Sequence, residues 1–171
     1  MANIFLISDT HFNHANILRF NRADGSPLRN FKDVEEMDEH MIECWNSVVR
    51  VQDKVYHLGD VTMNKQLNGA ILRRLNGHKR LVRGNHDEAP IKQYLQYFDE
   101  IYASRVLDKM ILTHIPIHPE SLGRFQANIH GHIHASPVYG ERYFNVSVEA
   151  IDYTPISLED IKKKIQALTP R

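Results

Sequence analysis

Three short runs of β-forming residues break off abruptly into polar clusters, and this repetition restricts the folds open to the chain more than any other feature. NIFLIS, almost wholly apolar, ends in DTHFNH; KVYHL runs into Gly59 and Asp60; KRLVR ends in GNHD. Apolar runs without polar alternation indicate strands buried on both faces, as in sheets covered by helices. Open α/β sheets place their ligands beyond the carboxyl ends of such strands. The polar clusters therefore mark one edge of the sheet as the working end, with Asp9 just past the first strand.

The segments between supply the helices. From Asp33 onward Val34, Met37, Met41, Cys44, Trp45 and Val48 recur at helical spacing, with Asp33 and Glu36 placed as a capping box. LNGAILRRL predicts a second helix, stopped by Asn76 and Gly77 in a left-handed C-cap, and IKQYLQYF a third. EIYASRVL, the turn Asp108–Lys109 and MILTH read together as a hairpin, so the second half of the chain is expected to be more antiparallel. Short β segments around ANIHGHIH, RYFNV and SVE continue that pattern. Ser157 caps a last helix, LEDIKKKIQAL, whose apolar positions are Leu158, Ile161, Ile165 and Leu168. No repeat, low-complexity tract or linker interrupts the chain, which predicts a single domain over residues 1–171. Two long loops, residues 19–30 and 115–126, are left to shape a substrate pocket.

A chain of 171 residues can bury a core without disulfides. Lys plus Arg equals Asp plus Glu at 21 each, so no global field draws in nucleic acid or an anionic membrane, and attraction for anions has to be local. Strong nucleic-acid binding is not expected. No apolar stretch reaches membrane-spanning length and MANIFLISDT carries no basic leader, so a cytoplasmic protein with no membrane partner is expected. Cys44, the single cysteine, falls on the apolar stripe of the first helix and reads as a packed thiol. The unusual count is eleven histidines, since histidine is the commonest metal ligand and the usual proton carrier near neutral pH.

Their positions carry the chemistry. Asp9 and His11 are two apart, so in an extended chain leaving a strand both side chains project to one side and can grip one ion. His132 and His134 in GHIH repeat that spacing with two imidazoles, and Gly131 permits a tight backbone approach. Asp60 follows a strand and a glycine, with backbone room for its carboxylate to bridge two cations. In GNHD, Asn85 offers a neutral amide oxygen to a metal and His86 an imidazole for proton transfer. His114 ends the strand MILT.

The ordered series D-x-H, G-D, G-N-H-D, H, G-H-x-H, spanning Asp9 to His134, resembles the calcineurin-like metallophosphoesterase family, and RLNGHKRLVRGNHD is similar to its small bacterial and phage members. The resemblance implies an α/β fold in which two mixed β-sheets pack as a sandwich flanked by helices. It implies two divalent metal ions, one held by Asp9, His11 and His134, the other by Asn85, His114 and His132, with Asp60 between them. An all-nitrogen and oxygen ligand set suits manganese, iron, zinc or nickel. Two such ions bring about +4 and the two aspartates offset about 2, leaving roughly +2, a centre suited to a phosphate anion. The ions would acidify a water into the nucleophile and share the charge developing on the phosphoryl oxygens. By the same resemblance, His86 would position the phosphate and protonate the leaving alkoxide.

One departure stands out. Many members of that family carry a further acid shortly after the GD, whereas GDVTMN offers Thr62, Met63 and Asn64; either Asp87 takes over the orienting of His86 or His86 is less strongly polarised. Asn13 and His14 are placed to contact the phosphate. His118 and Arg124 fall in a solvated loop, and His40, His57 and His78 are read as a helix face, a buried strand and a turn. The expected function is hydrolysis of phosphate esters, leaning to diesters of a nucleotide or cyclic nucleotide. The alternatives are a phosphomonoesterase and a non-catalytic metal-binding scaffold for a protein partner.

Overall fold

The computed structural model describes residues 2–63 and 67–168. In chain order these form strand β1 (Ile4–Ile7), a 3-10 turn (Ala15–Arg19), helix α1 (Val34–Val48), β2 (Lys54–His57), α2 (Gly69–Leu72), β3 (His78–Val82), α3 (Ile91–Tyr94), β4 (Glu100–Tyr102), β5 (Arg105–Leu107), β6 (Met110–Leu112), a 3-10 turn (Pro119–Leu122), β7 (Asn128–His130), β8 (Tyr143–Asn145), a 3-10 turn (Val148–Ala150), β9 (Ile156–Ser157) and α4 (Leu158–Leu168). Asn64 and the side chain of Leu168 lie outside the described residues.

The strands make two mixed sheets, ordered β4-β3-β2-β1-β9 and β5-β6-β7-β8. Alternation along each strand explains why the runs are apolar throughout. Leu6, Tyr56, Leu58 and Val82 pack with Met110, Leu112 and Ile129 between the sheets. Phe5, Ile7, Val55 and Leu81 face the other way, onto Met37, Met41 and Trp45 of α1. The Asp33 carboxylate accepts the Glu36 N–H at the start of α1, and Glu36 reaches back to the N–H of Lys32. α4 closes one side, with Leu158 and Ile161 in the inter-sheet core and Ser157 capping it by accepting the Asp160 N–H. No described helix is long and apolar enough to cross a membrane.

Several local expectations change. The second helix is a single turn that ends at Leu72; Gly77, at φ 88°, serves the turn into β3 instead of a helix cap. Tertiary bonds to α1 draw the chain out of helix: Trp45 Nε1 donates to the Asn76 carbonyl, and Asn76 donates to Asn46 and Val49. The third helix also shortens to one turn, α3. EIYASRVL is not one hairpin arm, because β4 joins the first sheet parallel to β3 and β5 joins the second. The turn itself is as expected, with Asp108 and Lys109 both left-handed and β5 antiparallel to β6. Beyond it the expected antiparallel character fails, since β6, β7 and β8 run parallel and the segment SVE is a 3-10 turn. Parallel pairing needs a return crossover after each strand, and those crossovers begin at His114 and at GHIH. Cys44 is half-buried beside His40, not in the core.

α1 also reaches the working end. Both oxygens of Asp38, a buried side chain, accept the Asn13 N–H at 3.2 and 3.0 Å. Burial, outweighing that hydrogen bond, pushes the Asp38 carboxyl up to about 7. A carboxyl raised on folding contributes a stability present below its unfolded pKa and lost as pH rises through the folded value. Asp38→Asn is therefore expected to raise the metal-free protein's melting temperature at pH 8, with the gain shrinking steadily as pH falls from 7 towards 4. Thermal scans across that range check it; a gain that grows at low pH would contradict the assignment.

Candidate metal centre

The clusters meet at the carboxyl ends of β1, β2, β3, β6 and β7, but not by the extended spacing expected of Asp9 and His11. Asp9 (φ 58°), His11 (48°), Asp60 (56°), His132 (70°) and His134 (48°) are all left-handed. Each such non-glycine residue costs about 1–2 kcal/mol, a strain that persists only where surrounding contacts impose it. Those contacts are visible. Asp9 N–H donates to Gly59 O and His11 N–H to Asp60 O, lacing the first two loops together. The Ser147 hydroxyl and the His132 N–H both donate to Asp9 Oδ2. Gly131 is required by closeness: a Cβ there would collide with the Ser8 hydroxyl and the Asp9 carboxylate.

The loops bring the donors into two groups. Ligand atoms of Asp9, His11 and His134 lie within 4.8 Å of one another, as do those of Asp60, His114 and His132. Asp60 stands between the groups, its Oδ2 3.6 Å from His11 Nε2 and 3.4 Å from His114 Nε2. Asn85 joins the second group, with Oδ1 2.9 Å from His114 Nε2. Among the described residues Asp9 Oδ1 and both ring nitrogens of His11 are buried without a hydrogen-bond partner. Each orphan costs about 1–3 kcal/mol, a penalty that a bound cation removes at Asp9 Oδ1 and at one of the two His11 nitrogens. The residues present therefore fit two divalent ions.

Protonation supports this. Burial first, then the charge of Arg29, lowers the His11 pKa to about 2, keeping the ring neutral and its lone pair available. His114 Nδ1 lies 2.7 Å from the Leu58 carbonyl, so it carries the proton and Nε2 faces Asp60 and Asn85. Without a metal these acceptors face one another, and the Asp60 hydrogen bond and the Asp9 and Asp60 charges overcome burial to raise the His114 pKa. Burial alone would raise Asp60, but His114, the His86 N–H and His11 hold it at about 2.

Two residues that the sequence reading passed over, Arg29 and Glu149, sit behind the first group with fully buried side chains. Glu149 Oε1 is 3.0 Å from His134 Nδ1 and 2.7 Å from Arg29 Nε. Arg29 also donates to the carbonyls of Asp9 at 2.5 Å and Thr10 at 2.8 Å. The only sequence signal is a charge directly after an apolar residue, in SPLRN and SVEA. Burial would raise Glu149, yet the His134 hydrogen bond and the Arg29 charge hold it down at about 2.

Asp87 does not orient His86. Its carboxylate accepts the N–H groups of Asp60, Val61 and Gly84 and the Tyr94 hydroxyl, stapling the GD loop to the GNHD loop. His86 is half-buried, its N–H donates to Asp60 Oδ1, and its ring centroid is 5.8 Å from that of His11. His11, His14, His86 and His134 line a cavity of about 410 Å³ walled by Asn16, Ile17, Arg19, Phe20 and Met63. His14 is thus at the site, its ring 5.6 Å from His11. Asn13 is exposed and does not line the cavity; its role is the backbone bond to Asp38. From residues 19–30 the cavity takes Arg19 and Phe20; none of its described walls comes from residues 115–126.

No family model matches the chain. Among curated proteins it is 39% identical to the uncharacterized protein MJ1445 of Methanocaldococcus jannaschii, over 97% of this chain and 93% of that one. It is 38% identical to the Gene 66 protein of Mycobacterium phage L5, over 51% of this chain and 41% of that protein. Among solved structures it is similar to AQ665 from Aquifex aeolicus, a protein of unknown function, with a TM-score of 0.78 and 31% identity over 95% of this chain and 99% of that one. At such identity over nearly the whole of both chains, the protein belongs to the same family as MJ1445.

Proposed function

We propose that the protein is a dinuclear-metal phosphoesterase that hydrolyses phosphate esters, with diesters of nucleotide type preferred. The carrying observation is the pair of donor groups sharing Asp60, in which Asp9 Oδ1 and the His11 ring nitrogens are buried with no hydrogen-bond partner among the described residues. When bound, two divalent ions would supply an acidified water as nucleophile and neutralise charge on the phosphoryl oxygens. Asp9 and Asp60 neutralise part of the ions' charge and leave a net attraction for the phosphate. His14 and His86 face the cavity beside His11, where they can hold phosphoryl oxygens. His86 delivers a proton to the departing oxygen, its backbone tied to Asp60 so that acid and metal ligand keep a fixed relation.

The lean to diesters follows from charge. Arg19 is the one Lys or Arg among the described lining residues, whereas a monoester dianion favours a bidentate arginine clamp. Ile17, Met63 and the half-exposed Phe20 offer an apolar wall to a planar base, and Asn16 an amide to its polar edge. Metal analysis combined with manganese-dependent hydrolysis of bis-p-nitrophenyl phosphate and p-nitrophenyl phosphate tests the proposal. Two ions per chain and faster diester turnover are expected. A preference for the monoester would overturn the diester lean, and absence of metal-dependent hydrolysis the whole reading.

A further inference from the structure

Three charged side chains, Asp9, Arg29 and Glu149, are buried together behind the first donor group. Burying charge costs several kcal/mol per ion unless each is paired and hydrogen-bonded, and an apolar replacement is often as stable. Glu149 does not use its hydrogen-bonding capacity fully, since Oε2 is buried with no partner among the described residues. A strut needing only packing has little use for such a group. What the pair does achieve is specific: one carboxylate oxygen takes both the His134 Nδ1 proton and the Arg29 Nε proton, and the far end of the same guanidinium holds the carbonyls at which Asp9 turns left-handed.

We infer that Glu149, held by Arg29, is a positioning residue that presents His134 and Asp9 as ligands and so governs occupancy of the Asp9/His11/His134 metal position. The inference rests on the dinuclear reading proposed above. A carboxylate on Nδ1–H fixes the tautomer, leaves Nε2 as the lone-pair donor and raises its basicity. Because Arg29 cancels the Glu149 charge, the device orients the imidazole without adding net negative charge that would weaken phosphate attraction. The second position is built differently, since His114 leans on the neutral Leu58 carbonyl. Loss of Glu149 therefore acts on one ion and not the other. His11 has no partner at Nδ1 among the described residues, so the first position depends on this support at His134 and Asp9.

The test is metal binding by the full chain, read by metal content after gel filtration and by competition titration of manganese against a chromophoric chelator. Glu149→Gln is expected to keep one ion and to lose about 10- to 100-fold in affinity for the other, the usual cost of removing such a partner. Glu149→Asp keeps the charge opposite Arg29 but shortens the reach to His134, and is expected to show the same selective loss. Long-range proton–nitrogen NMR of the metal-free wild type at pH 8 is expected to show His134 protonated at Nδ1, and the Gln variant to lose that preference. Unchanged affinity for both ions in both variants would overturn the inference. So would equal loss of both ions with collapse of the circular dichroism spectrum, which would mark Glu149 as a structural strut. A wild type that binds no metal would overturn the dinuclear reading itself and this inference with it, so the two failures are distinguishable.

Discussion

Replacing Asp60 by asparagine is expected to abolish metal-dependent hydrolysis, with a loss on the order of 10³-fold or more, while the metal-free fold survives. The substitution is nearly isosteric, and an amide oxygen can still accept the His86 N–H that Oδ1 accepts now. What disappears is the charge at Oδ2, the atom within 3.6 Å of His11 Nε2 and 3.4 Å of His114 Nε2. Asp9 would then be the only acidic side chain among the seven ligands, serving one position alone. Both ions would lose affinity, because donors of both groups lie beside that oxygen. Metal content and kcat/KM measured together check this; an Asp60→Asn variant that keeps both ions and its turnover would show that Asp60 does not lie between them.

The second large effect concerns His86, and its size should depend on the leaving group. A general acid contributes about 10²- to 10⁴-fold, but only where the departing oxygen needs a proton. His86→Asn, whose amide can still donate to a phosphoryl oxygen, is therefore expected to lower kcat by that range on an alkyl or nucleoside ester and far less on p-nitrophenyl esters, with metal content unchanged. Equal losses on both substrates would point to phosphate binding instead of proton donation. Asp87 enters this only indirectly, because its carboxylate is committed to three backbone N–H groups and a tyrosine and gives the His86 ring no help.

The ligand clusters could be read in the chain because each is local: a short apolar run followed directly by Asp, Asn or His is a pattern within ten or so residues. Their supports could not. Arg29 and Glu149 meet across 120 positions in sequence, each a lone charge with no periodicity around it. Asp87 is visible in the sequence but its partners are not, so orienting the neighbouring His86 is only one of the readings the sequence leaves open. The same limit explains the missed turns. Asp9 and His11 carry no glycine to announce a left-handed backbone, and the strain is imposed by carbonyl contacts made far along the chain. Asn76 and Gly77 do look like a helix stop, yet α1 competes for Asn76 and the helix ends early.

That buried strands end in metal-type donors is written locally in the chain, because burial on both faces and an abrupt change of polarity are properties of neighbouring residues. The sequence also shows which residue types are available: seven candidate nitrogen and oxygen donors and no thiolate among them. How they divide depends on the folded chain. Parallel pairing of β6, β7 and β8 carries His114 and GHIH to the same end as Asp9, Asp60 and Asn85, and His132 and His134, two apart in sequence, go to different groups. That division is a matter of backbone turns held by long-range hydrogen bonds and by a buried ion pair, interactions that exist only once the chain has closed on itself.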